Sequence, residues 1–93
     1  MTVSTVELAK GRDTVAALLD ELGVDAYLFQ VEPRTATTWE LQLECAIENG
    51  WERVVVPVAR DQLLRCLDDA QTRVEVLEQL RTRLDACALR KDD

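Results

Sequence analysis

The chain has 93 residues, with 11 basic and 18 acidic side chains, no histidine and a formal net charge of −7. That length allows one domain over residues 1–93, with a thin core, because a chain this small hides only about 60–65% of its unfolded surface. A hydrophobic content of 47% and a charged content of 31% are globular values, the acidic balance disfavours direct binding to nucleic acid or anionic membranes, and zero His removes the commonest general base and metal ligand.

The first confident helix runs from about Arg12 to Leu22. Asp13 can cap its start, Val15, Leu18, Leu19 and Leu22 share one face, and Gly23 supplies the stop. Ser4-Thr5-Val6-Glu7 has the form of a capping box that would begin the helix earlier. Gly11 would then sit inside it at a cost of roughly 1 kcal/mol relative to Ala, so a frayed or separate first turn is expected.

Asp25 to Glu32 reads as a strand closed by Pro33, with Tyr27, Phe29 and Val31 on one side and Leu28 and Gln30 on the other. In the next segment Trp39, Leu41, Leu43, Cys45 and Ile47 alternate with Glu40, Gln42, Glu44, Ala46 and Glu48. A helix is the rival reading, since Thr37-Thr38-Trp39-Glu40 fits a capping box and Gly50 could end it. A helical wheel, however, sets Leu41 and Cys45 nearly opposite Trp39 and Leu43. Alternation gathers every large apolar residue on one side, so a strand is predicted.

Asn49-Gly50 then reads as a type I′ turn. If Glu48 faces Trp51, then Cys45 faces Val54, Leu43 faces Val56, Leu41 faces Val58 and Ala46 faces Arg53. Both apolar sets land on one side, and a shift of one residue would destroy that agreement. Pro57 suggests an edge strand.

From about Arg60 to Leu89 there is neither Gly nor Pro, and Leu63, Cys66, Ala70, Leu77, Leu80, Leu84 and Cys87 recur in heptad fashion. One long helix over 60–89 is predicted, with a break near Asp68-Asp69 and a fresh start capped at Thr72 as the competing reading. The fold class expected is therefore α+β: an N-terminal helix, a three-stranded antiparallel meander and a long C-terminal helix.

A 30-residue helix is a rod of about 45 Å, whereas a strand of eight residues is only about 26 Å long. The rod would overhang the sheet and present Val74, Leu77, Leu80 and Leu84 to another polypeptide, either a second copy or a protein partner. Trp51, pointing outward, reads either as an ordinary strand aromatic or as a contact residue. Beside it, Glu40, Glu44 and Glu48 form a charged face suited to a basic partner.

No catalytic, phosphate-binding or metal-ligand motif appears, and carboxylates on an open face about 7 Å or more apart stay solvated acids. No enzyme activity and no cofactor or metal is therefore expected. The three cysteines, Cys45, Cys66 and Cys87, read as reduced, half-buried thiols, with an intermolecular disulfide or a redox-sensitive thiol as the alternative. No stretch approaches the roughly 20 apolar residues of a bilayer span and no secretory leader is visible, so a cytoplasmic setting is expected.

The order of elements resembles, at the level of topology, the first half of the small acidic dimeric chaperones of bacterial type III secretion. The later strands of that fold have no counterpart in these 93 residues. The resemblance implies a dimer that holds a protein. The function expected is a non-enzymatic adaptor, chaperone or inhibitor working by protein–protein contact, as a homodimer or by partner capture. The alternative is an acidic nucleic-acid mimic that blocks a DNA- or RNA-binding complex.

Overall fold

A computed structural model describes the backbone of residues 5–24 and 26–88 and the side chains of 5–24 and 28–88. Ser4, Asp25, the Tyr27 side chain and Leu89, which entered the sequence reading, lie outside the described residues. The order is α1 (Thr5–Leu22), β1 (Ala26–Pro33), β2 (Thr38–Ile47), β3 (Gly50–Ala59), α2 (Arg60–Arg65) and α3 (Ala70–Arg83). The strands form an antiparallel meander in the order β1-β2-β3, so the α+β class holds.

Helix α1 begins at Thr5 and runs unbroken through Gly11, without the separate first turn that the glycine suggested. The reason lies in packing. A Cβ on Gly11 would stand 2.7 Å from Cζ3 of Trp39, so the helix approaches the indole at a distance only glycine permits. At the other end Gly23 takes φ +70°. Its N–H donates to Asp20 O (3.1 Å), and Val24 N–H donates to Leu19 O (3.2 Å), the paired bonds of a Schellman stop.

In the hairpin the predicted register slips by two. Ile47 pairs with Gly50, leaving Glu48 and Asn49 as the turn, and the pairs that follow are Cys45–Glu52, Glu44–Arg53, Leu43–Val54, Leu41–Val56 and Trp39–Val58. The apolar faces still coincide because side chains alternate with a period of two. The pattern therefore fixes the face but not which even register is chosen. The slip sets unlike charges directly opposite at Glu44 and Arg53 and gives Trp39 an apolar partner in Val58.

The same register explains both prolines. A two-residue turn makes Ile47–Gly50 a hydrogen-bonded pair, so alternation leaves Pro57 with its nitrogen facing outward on edge strand β3. Its outward carbonyl accepts from Gln79 Nε2 at 2.7 Å. By the same alternation Pro33 faces outward on the opposite edge, strand β1, across from Trp39. Each edge thus carries a residue that cannot donate to an added strand.

The single helix over 60–89 is not formed. Helix α2 stops at Arg65, and α3 starts afresh after Asp69, whose carboxylate accepts from the N–H groups of Gln71 (3.1 Å) and Thr72 (3.4 Å). Asp prefers exactly such a cap to a helix interior, so it breaks a stretch that has no Gly or Pro. The 14 residues of α3 span only about 21 Å, short enough to lie within the sheet's length.

Folding back also buries what an overhang would leave wet. Leu77 (9% exposed), Leu80 (1%) and Leu84 (3%) join Val15, Leu18, Trp39, Leu41, Leu63 and Val76 in one core. At roughly 1.5–3 kcal/mol per enclosed Leu, this burial outweighs the cost of one extra helix end. The expectation that these leucines meet another polypeptide is corrected. Their shelter is their own chain.

Candidate functional site

The helices cover one face of the sheet and leave the other open. Strand pairing lays the open face out in rows: Leu28–Glu44–Arg53, Gln30–Gln42–Val55 and Glu32–Glu40–Pro57, with Ala46–Trp51 nearest the hairpin turn. Leu28 (59% exposed), Trp51 (56%) and Val55 (44%) are large apolar side chains on this face.

The half of the face nearer the prolines is internally satisfied. Gln42, buried at the centre of the sheet, accepts at Oε1 from Gln30 Nε2 and from Arg53 Nη2, both at 3.0 Å. Its Nε2 donates to Glu40 Oε1 (2.7 Å) and Glu32 Oε2 (3.0 Å). Arg34 closes the network, donating to Glu40 Oε1 at 2.7 Å and lying 3.6 Å from Glu32. The hydrogen bond from Arg34, and then that from Gln42, holds the Glu40 carboxyl below its ordinary value. The Glu40 bond likewise raises Arg34. These charges are engaged with one another and have little left to offer a partner.

The half nearer the turn differs. Arg53 lies opposite Glu44 but sends its guanidinium to Gln42. Among the described residues, no ion pair reaches Glu44, Glu48 or Glu52. On the open face near the hairpin end, Glu44 and the turn residue Glu48 therefore stand against one arginine, while Glu52, opposite Cys45, belongs by alternation to the other face. A shallow depression of about 50 Å³ opens there, walled by Leu28, Gln30, Gln42, Glu44 and Arg53.

Of the residues singled out from sequence, the fold thus brings Trp51, Glu40 and Glu44 onto one surface and sets Glu48 in the adjoining turn. Leu77, Leu80 and Leu84 belong to the core instead. Val74 is exposed on α3 (54%), without the leucines that were to accompany it. Leu28, on the side of β1 that it shares with Gln30, and Val55, on the side of β3 that it shares with Trp51, lie outward as their alternation implies, although neither was singled out as a site residue.

The cysteines are not three reduced thiols. Cys45, at the end of β2, is joined to Cys87 by a disulfide with a Cα–Cα distance of 5.5 Å. Beside it Ala88 N–H donates to Ala46 O at 2.7 Å, so the segment after α3 is tied to β2 twice. Cys66 stays free and buried, and loss of water around it pushes its thiol up, away from the reactive thiolate. Among the described residues, no group of three or more His, Cys, Asp or Glu is placed to hold a metal ion. Among the same residues, no helix is long and apolar enough to cross a membrane.

Protein-family models, curated proteins and solved structures offer no match to this chain. The geometry of the open face and its charges carry the functional reading.

Proposed function

We propose that this chain is a small non-enzymatic interaction module that takes a protein partner on the open face of its sheet. The partner presents basic side chains around an apolar anchor. The observation that carries this reading is the exposed Trp51, on the open face beside the Glu44–Arg53 row and next to Glu48 in the turn. An aromatic side chain standing in water on an uncovered sheet is the kind of residue on which binding energy concentrates. The surrounding acids, with a net charge of −7 behind them, would steer a basic surface toward it. An adaptor, a chaperone or an inhibitor would each use such a face.

Dimerisation through α3 loses its support, because the leucines that would drive it are enclosed. Mimicry of nucleic acid is weakened too. Glu32 and Glu40 are held by Arg34 and Gln42, so the face does not offer continuous rows of unpaired carboxylates. The cytoplasm stays the proposed compartment, supported by an unpaired Cys66 left in the core. In that compartment the Cys45–Cys87 bond is one that thiols make and break.

The test is titration calorimetry of the full chain with a short peptide of alternating Lys and Leu. An all-Lys peptide and a Glu/Leu counterpart serve as controls. The Lys/Leu peptide should bind, weaken with added salt, and lose about tenfold or more in affinity on Trp51→Ala, whereas Val74→Ala leaves it unchanged. Equal binding of the all-Lys peptide, or indifference to Trp51→Ala, overturns the reading.

A further inference from the structure

A second feature lies outside the docking face. A cavity of about 260 Å³ opens between the end of α1 and the end of α3, lined by Leu22, Val24, Leu84 and Cys87 and by two residues of charged type, Arg81 and Asp85. Its volume is several times the roughly 30 Å³ that one water occupies in the liquid. Of the two disulfide cysteines, one borders this space. Cys87 forms part of the wall and is 6% exposed, whereas Cys45 is fully enclosed.

We propose that this cavity is a thiol-exchange site, in which a small thiol bearing an amino-acid headgroup attacks the Cys45–Cys87 disulfide at Cys87. The walls accept an apolar thiol stem. Arg81 suits the α-carboxylate of the incoming molecule, and Asp85, four residues on along the chain, suits its ammonium group. Neither charge is matched by a neutral thiol. Access sets the direction of attack, since exchange needs an open line to the sulfur that is struck.

The chemistry balances with the thiol as the only co-reactant. The thiolate sulfur bonds to Cys87 Sγ as the protein S–S bond breaks, and the electron pair leaves on Cys45 Sγ, which takes a proton from solvent. A second thiolate attacks the mixed disulfide at the sulfur of the first, and the two depart joined as their own disulfide. Cys87 is left as a thiolate that protonates in turn. Two electrons from two thiols have then reduced one protein disulfide. The segment after α3 keeps only the Ala88–Ala46 hydrogen bond of its two ties to β2.

Two measurements on the full chain test this. In the first, wild type and Arg81→Ala are reduced under native conditions by L-cysteine or by neutral 2-mercaptoethanol, at matched thiolate concentration. Opening of the disulfide is followed by alkylation and mass spectrometry. Arg81→Ala should slow the reaction with cysteine by about two- to fivefold, the size expected of an exposed ion pair, and leave that with 2-mercaptoethanol unchanged. In the second, Cys45→Ser and Cys87→Ser are incubated with cystine and their adducts mapped. Cys87 in the first variant should be modified and Cys45 in the second should not. Equal slowing with both thiols, no slowing with either, a preferred adduct on Cys45, or reduction only in denaturant would each overturn the proposal.

Discussion

Replacing Gly11 by Ala sets two effects against each other. By propensity alone, Ala in a helix interior is better than Gly by about 1 kcal/mol. Against this, the new Cβ stands 2.7 Å from Trp39 Cζ3, 3.4 Å from Cε3 and 3.6 Å from Leu63 Cδ2. The indole is rigid, 1% exposed and part of a closed core, so it has nowhere to retreat. Overpacking of a filled core costs roughly 1–3 kcal/mol, and here it should win.

The expected result is a net loss of up to about 2 kcal/mol, read as a drop in Tm of up to roughly 15 °C for a domain of this size. Urea unfolding followed by circular dichroism measures it. A double-mutant cycle with Trp39→Phe isolates the cause, because the smaller ring withdraws from the contact. Trp39 Nε1 has no hydrogen-bond partner among the described residues, so the Phe variant loses no such bond. In that background Gly11→Ala should be neutral or stabilising. A Gly11→Ala protein more stable than wild type, or the same loss in both backgrounds, would refute the close-approach reasoning.

Three further outcomes are expected. Opening the Cys45–Cys87 disulfide, which joins residues 42 apart, should cost about 4 kcal/mol in the chain-entropy account, measured as the difference between oxidised and reduced unfolding curves. Leu80→Ala should destabilise the monomer by roughly 2–5 kcal/mol without altering the molar mass in light scattering. A changed molar mass with unchanged stability would return that residue to an interface. Asp69 is held below its ordinary value of 3.8, first by the backbone hydrogen bond from Thr72. Its share of stability is therefore full above that pH and is lost as pH falls through the lower folded value. Asp69→Asn should flatten that part of an acid titration followed by circular dichroism.

Much of the fold was legible because it rests on local periodicity. The alternation from Trp39 to Ile47 fits a strand with one buried side better than the rival helix, and Gly23 marks the stop of α1. What escaped depended on competition over distance. The even register of the hairpin is invisible to a pattern with period two, and the one formed sets Trp39 opposite Val58, an apolar partner, instead of Arg60. The break near Asp68-Asp69 was legible only as a competing reading, because no glycine or proline announces it; its cap is Asp69, and the gain of enclosing Leu77, Leu80 and Leu84 favours it. The disulfide joins a strand end to the segment beyond α3, and a spacing of 42 carries no local signal. Trp51 and Glu44 were placed correctly on the outward face. The outward side of Leu28 was legible as well, but its row with Glu44 and Arg53, and that of Val55 with Gln42 and Gln30, depend on the alignment of all three strands.

The most direct test of the open face as the docking surface is a map of backbone amide shifts during titration with the Lys/Leu peptide. The account predicts that shifts concentrate at Leu28, Gln30, Glu44, Trp51, Arg53 and Val55, with Leu77, Leu80 and Leu84 undisturbed. Changes centred on α3, or spread evenly over every acidic residue, would contradict it.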